Sequence, residues 1–386
     1  MTRYYICILF TLLSFSAFAG SKIDSLAAAA DAEKDKELRF ELYYKLAAMT
    51  ISSDLQASIG WATKARSFAI ENGLTDKIIK SNLILTSADI EAGYLDEAMT
   101  SAQSALDLSR QGDNYLYQYY SYRNMAMLYR RKANYDSALV NYMACLKVTE
   151  EHLGDTFVGY ACSGLGSYYA TIHNLEKAEE WHLRALQMCE QTKDTPGMAD
   201  CYDNLGIINR DRGEYKKALV YYNKAREIYL TKGDSSDIAF IYNDLGAIYS
   251  KSGVLDSGEY FLVKSIEMRE RMNELIELAY TYNYLGENYE RKGDLEQGEL
   301  YIKKALTLAI QIANNKQHYE ALESLSDFYA RNKMYDSAYK YLQLYKSYRD
   351  SIRQMDNEAL IAELNTRYET EKKEKRIQEQ EFQLTR

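Results

Sequence analysis

One pattern of residues recurs seven times at a spacing of 40. Its copies begin with Leu85-Thr86, Met125-Ala126, Leu165-Gly166, Leu205-Gly206, Leu245-Gly246, Leu285-Gly286 and Leu325-Ser326. Ten residues past each first member stands Leu95, Tyr135, Leu175, Tyr215, Leu255, Leu295 or Tyr335. Three further on comes Ala98, Ala138, Ala178, Ala218, Gly258, Gly298 or Ala338. A fixed period of this size marks a solenoid, whose units bury their apolar faces only against their neighbours. The register runs unbroken from Leu85 to Leu325 and leaves no room for a linker, which predicts one continuous array.

The spacing also explains the unit. In the copy Ala199–Leu230, Tyr202, Leu205 and Gly206 fall on one helical stripe, because residues three and four apart share a face. Gly213-Glu214 then ends the helix, since glycine accepts the left-handed conformation that a helix end needs. A second stripe follows at Tyr215, Ala218, Tyr222 and Ala225. Small residues such as Gly206 and Ala218 mark where two antiparallel helices approach closely.

The pattern resembles the tetratricopeptide repeat (TPR), an aromatic-x-x-Leu-Gly-x-x-Tyr helix, a Gly-Asp turn and an Ala-rich second helix. Here it reads Tyr282, Leu285-Gly286, Tyr289, Gly293-Asp294, Leu295, Gly298 and Ala305. The likeness covers about residues 79 to 350. It departs in a period of 40 where the family usually has 34, and in lacking the proline after the second helix; the sole proline is Pro196. The resemblance implies an all-α, TPR-type α-solenoid, a right-handed superhelix of helix-turn-helix repeats. Seven repeats are expected over 79–350, starting near 79, 119, 159, 199, 239, 279 and 319. Residues 20–78 are expected to hold capping helices with one degenerate copy, in which Tyr43, Leu46 and Ala47 answer Leu55, Ala62 and Ala65.

Positions 1–19 read as a secretory signal, with Arg3, an apolar stretch from Tyr4 to Phe18 and the small-x-small site Ala17-Phe18-Ala19. An exported, periplasmic chain is therefore expected. The formal net charge is -9, which lacks the basic footprint of phosphate neutralisation and argues against nucleic-acid binding by this segment. Cys145, Cys162, Cys189 and Cys201 match no Cys-x-x-Cys or zinc spacing. Unpaired core cysteines are favoured for them, with bridges left open. Tyrosine is abundant, 37 against 10 Phe. At packing positions such as Tyr129, Tyr169, Tyr249, Tyr289 and Tyr329, its ring can be buried while the hydroxyl reaches water.

No proline or glycine interrupts the chain after Tyr335, so a long C-terminal helix is expected. Over 351–386 it should cap the last repeat through Ile352, Met355, Ala359 and Leu364, then continue as a charged connector or weak coiled coil. The stretch Asn365–Lys375 is similar to the connector of bacterial membrane-anchored TPR sensors. In that family a signal peptide, exported repeats, the connector and one membrane helix precede a histidine kinase or helix-turn-helix output domain. The resemblance implies a sensor region with membrane anchoring beyond Arg386 and a homodimer formed through the C-terminal helix. A free-standing periplasmic TPR scaffold is the alternative.

No catalytic motif, cofactor-binding motif or metal-ligand spacing stands out. His182 replaces the second-helix aromatic, His173 occupies the turn site of Gly213 and Gly253, and Gly164-Leu165-Gly166 belongs to repeat packing. A surface remains. The resemblance places the first helix of each repeat on a concave, ligand-bearing face, with repeat positions 2, 5, 6, 9 and 12 exposed there. The candidates are Tyr120, Arg123, Asn124, Met127, Arg130, Tyr160, Asp203, Asn204, Arg210, Phe240, Asn243, Asp244, Tyr280, Asn283, Tyr284 and Glu287. Aromatics interleaved with Asn and Arg suit a protein or extended peptide ligand. The family's carboxylate clamp is not matched, because no Lys stands at the corresponding first-helix positions.

Overall fold

A computed structural model describes residues 23–51, 54–354 and 372–373. The signal segment 1–19 lies outside the described residues, as do Met355, Ala359, Leu364 and nearly all of the connector. Every regular element described is a helix. After α1 (23–32) come α2 (Lys36–Thr50), α3 (Leu55–Glu71), α4 (Thr75–Ala92), α5 (Leu95–Gln111), α6 (Tyr115–Arg131) and α7 (Tyr135–Val148). A π-helical turn, Thr149–Leu153, leads to α8 (Asp155–Thr171), α9 (Leu175–Thr192), α10 (Thr195–Asp211), α11 (Tyr215–Lys232) and α12 (Ser235–Lys251). The chain continues through α13 (Leu255–Met272), α14 (Leu275–Lys292), α15 (Leu295–Gln311), α16 (Asn315–Arg331) and α17 (335–354). Among the described residues, no helix is long and apolar enough to cross a membrane.

First helices begin at Thr75, Tyr115, Asp155, Thr195, Ser235, Leu275 and Asn315, four residues upstream of the expected starts. The apolar stripe opens a turn after the helix does, because the first turn carries caps and polar residues. In the degenerate copy, α3 starts at Leu55, in strict register with Leu95, while Leu46 stands one residue past the register of Leu85.

Turns recur every 20 residues, at half the sequence period. Gly73, Gly93, Asp113, Ala133, His173, Lys193, Gly213, Gly233, Gly253, Asn273, Gly293, Ala313 and Lys333 all have positive φ. Each ends one helix in the left-handed conformation. The following Asn or Asp often caps the next helix: Asn114, Asn134, Asn174, Asp294 and Asn314 each accept from a backbone N–H three residues on. The one shift is Gly154, where 153 would be expected. The π-helical turn moves the helix end one residue along, leaving Gly154 at φ 81 and ψ -179, a region essentially confined to glycine.

Glycines let helix pairs meet. A Cβ on Gly246 would lie 2.5 Å from Leu262 Cγ, and one on Gly286 would lie 2.5 Å from Ile302 Cγ1. Tyrosine hydroxyls are less wet than expected. Tyr289 donates to Glu259 and Tyr329 to Glu299, each at 2.7 Å, so the phenol carries its own partner into the half-buried seam.

The described helices fall into two compact units, one ending at Ile208 and one starting at Asn209. This corrects the expectation of one undivided array. The division falls between Ile208 and Asn209, inside α10, where the helical register continues and no linker marks it. In the first unit, Phe40, Tyr43, Leu46, Ala65 and Ala69 form one core cluster, and Ile90, Ala98, Leu106, Met125 and Leu128 another. In the second, Leu262, Ile266, Leu278 and Leu285 pack together, as do Ile302, Leu325, Phe328 and Tyr329.

Candidate ligand face

In the first unit, α6 and α8 carry an aromatic row. The guanidinium of exposed Arg123 lies 5.3 Å from the Tyr120 ring centroid and 6.0 Å from that of Tyr119. Tyr119 meets Phe157 edge-on at 5.5 Å, and Phe157 meets Tyr160 edge-on at 6.0 Å. Tyr160 is 42% exposed, so the row ends at an open aromatic surface. Met127 and Arg130 are half-buried, and Arg130 Nη1 donates to Thr171 Oγ1 at 3.4 Å.

Two of the candidates here are corrected by burial. Asn124 is 4% exposed and donates through Nδ2 to the Leu83 carbonyl of α4 at 3.4 Å, bracing one repeat against the previous one. Asp203 is likewise buried. Asn204 is half-buried and donates to the Asp200 carbonyl at 2.8 Å, one turn back on its own helix.

In the second unit, Arg210 of α10, Asn243 and Asp244 of α12, and Tyr280, Tyr284 and Glu287 of α14 come together. Asn243 Nδ2 donates to Asp244 Oδ1 at 3.3 Å. Burial raises the Asp244 carboxyl above its ordinary value, partly opposed by the charge of Arg210. Burial disfavours the charge on Arg210, but nearby Tyr222, Asp244 and Asp211 outweigh it and hold the guanidinium protonated. Burial also raises the Tyr284 phenol, assisted by Asp244, and lifts the Glu287 carboxyl against the pull of Lys251 and Arg331. Asn243 and Asp244 are buried floor residues, which corrects their reading as open contacts. Phe240, by contrast, is 42% exposed.

Asn243 and Asn283 occupy the same place in successive repeats. Each holds a buried side-chain carbonyl oxygen with no hydrogen-bond partner among the described residues. Such an acceptor costs about 1–3 kcal/mol unless a donor reaches it.

Beside this floor, Glu287, Glu290, Arg291, Arg331 and Asn332 line a cleft of about 420 Å³. Glu290 is already engaged: Arg331 grips it with two bonds of 3.0 and 2.8 Å, and Asn332 donates to it at 2.9 Å. Glu287 is the carboxylate left facing the cleft.

Sequence reading missed Arg269 of α13, which is 3% exposed. Its Nε donates to Ser265 Oγ at 3.0 Å, and that hydroxyl donates to the Ala239 carbonyl at 2.8 Å. The available signal was Ser265 itself, a hydroxyl where other copies have Ala105, Ala185, Ala225 or Ala305, four residues before an arginine. Among the described residues, no group of three or more His, Cys, Asp or Glu side chains is placed to hold a metal ion.

Two sequence families, both described as tetratricopeptide repeat, match residues 160–231 and 120–157. The repeats they match are tetratricopeptide repeats. No curated protein matches the chain significantly. Solved TPR structures share the fold at low identity. Aspartyl phosphate phosphatase F from Bacillus subtilis is 13% identical, with TM-score 0.57, covering 86% of this chain and 93% of its own. A Rap protein complexed with Competence and Sporulation Factor is 12% identical, with TM-score 0.53, covering 83% and 99%. A Signal Transduction ATPase with Numerous Domains from Pyrococcus horikoshii, described as having a tetratricopeptide repeat sensor, is 19% identical, with TM-score 0.56. That match covers 81% of this chain but only 46% of the larger protein. At these identities the TPR likeness is one of fold.

Proposed function

We propose that this TPR chain is an exported protein-interaction module that takes an extended peptide segment on its first-helix face. The observation that carries the reading is the pair Asn243 and Asn283, whose unpaired carbonyl oxygens stand 40 residues apart beside Arg210, Tyr284 and Glu287. An extended peptide offers backbone N–H donors at regular intervals, and once a rotation of each amide brings its oxygen out of the floor, one such donor at each acceptor would remove the desolvation penalty. The Tyr120, Arg123 and Tyr160 row offers stacking area in the first unit. The Rap protein complexed with Competence and Sporulation Factor shows that a chain of this fold can take a partner.

The finer reading is the extracytoplasmic sensor region of a transmembrane signalling regulator, supported by the signal-like segment 1–19 and the connector-like Asn365–Lys375. Binding would bias the state of the C-terminal helix, or its pairing with a second copy. The test is a pull-down from an exported-protein fraction with the mature chain, repeated with the combined variant Arg210→Ala, Asn283→Ala and Glu287→Ala. Loss of specific partners from the variant, with its helical circular dichroism intact, is the expected result. Equal recovery by both baits would place binding elsewhere.

A further inference from the structure

Cys189 and Cys201 meet where α9 turns into α10. The Cys189 thiol lies over two glycines: a Cβ on Gly159 of α8 would stand 3.6 Å from its sulfur, and one on Gly197 of α10 would stand 2.7 Å from it. A side chain at 197 would push that thiol away. Cys201 follows Gly197 by four residues and so shares its face of α10 one turn on. From there it stands beside the Cys189 thiol, and each shifts the other's ionisation. Both residues are buried, 3% and 2% exposed. Cys145 is engaged differently, its sulfur donating to the Tyr119 carbonyl at 3.5 Å. Cys162 stands near Cys189, its thiol pushed up to about 11 chiefly by burial.

We propose that Cys189 and Cys201 are a modification site, closing to an intramolecular disulfide by exchange with a small-molecule disulfide such as oxidised glutathione. The Cys189 thiolate attacks one reagent sulfur, forms a mixed disulfide and expels one glutathione thiolate. Cys201 then loses its proton, attacks the Cys189 sulfur and expels the second. Two protein thiols are oxidised and one reagent disulfide is reduced to two thiols. The interaction with Cys201 lowers the Cys189 thiol and raises that of Cys201, which makes Cys189 the first to ionise. Closure needs the two sulfurs to contract to about 2.05 Å. Cys189 lies in the last turn of α9, where a small helix-end adjustment can supply that movement. The bridge would hold the α9–α10 turn at Lys193, one of the non-glycine residues with positive φ.

The test refolds the reduced full chain in a buffer of reduced and oxidised glutathione, so that pairing is reached at equilibrium despite burial. Free thiols are then alkylated and the chain is digested with trypsin. Cys189 falls on the peptide Ala185–Lys193 and Cys201 on Asp194–Arg210, so a bridge joins two separate peptides. The linked pair should dominate, with Cys145 and Cys162 alkylated. The variant Cys201→Ser should instead give Ala185–Lys193 unlinked and alkylated, since the packed Cys189 site has no room for a glutathione adduct. Recovery of both peptides as alkylated free thiols in the wild type, or linkage of either one to Cys7, Cys145 or Cys162, would overturn the assignment.

Discussion

His182 fills the space that Gly166 leaves empty. A Cβ on Gly166 would lie 2.5 Å from His182 Cδ2 and 2.6 Å from Nε2. The imidazole is 1% exposed, and burial lowers its pKa from 6.5 to about 4. Its register neighbours are Tyr142 and Tyr222, so this repeat packs an imidazole where the two adjacent repeats pack a phenol.

Acid should therefore unfold the first unit partly through His182. A folded-state pKa below the unfolded one means that the native state binds fewer protons. The contribution is fully present above pH 6.5 and is lost as pH falls from there through about 4. The span corresponds to about 3 kcal/mol. Asp89, raised to about 6 by burial, works in the opposite direction over part of that window. The clean measurement is the difference between wild type and His182→Tyr in urea unfolding at pH 7 and pH 4.5. The wild type should lose about 2–3 kcal/mol more than the variant.

Glycine substitutions should split by what a methyl would meet. Gly286→Ala drives a Cβ to 2.5 Å from Ile302 Cγ1 and 2.9 Å from the Gly298 carbonyl. It should cost about 1–3 kcal/mol. Gly60 lies inside α3 with nothing within 4 Å of its would-be Cβ. Gly60→Ala should stabilise by about 0.5–1 kcal/mol. Thermal melts of the two variants should move in opposite directions.

Turn residues give a second signed pair. Ala133 holds φ 55 where Gly93, Gly213, Gly253 and Gly293 stand in other repeats. Ala133→Gly should stabilise by about 1 kcal/mol by removing the left-handed penalty. Gly154→Ala should destabilise by about 1–3 kcal/mol, because φ 81 with ψ -179 suits only glycine. Chemical denaturation of both variants checks the assignment of the π-helical turn.

Much of this fold was legible because packing repeats the same question every 40 residues. Leu285, Gly286 and Ala305 read directly as a close helix pair, and His173 as a turn residue from the glycines in its register. The π-helical turn at Thr149–Leu153 was not legible, since it conserves residue count and leaves only Gly154 displaced by one. The ligand face was legible in part. A side chain at repeat position 6 can be spent between repeats, as Asn124 is on the Leu83 carbonyl. Helical spacing gives a face but not the depth on that face, which is why Asn243 and Asp244 proved to be floor residues and Arg269 escaped notice.

The claim that Asn243 and Asn283 await a peptide backbone is tested most directly by separating binding from stability at Asn283. A displayed library of random peptides is selected on the mature chain, and the enriched peptides are titrated against wild type and Asn283→Ala. Removing an unsatisfied buried acceptor should leave the unfolding free energy equal or higher. Peptide affinity should fall about fivefold to tenfold, the loss of roughly one hydrogen bond. A variant that binds the selected peptides as tightly as wild type would contradict the account, as would one that loses stability in step with binding.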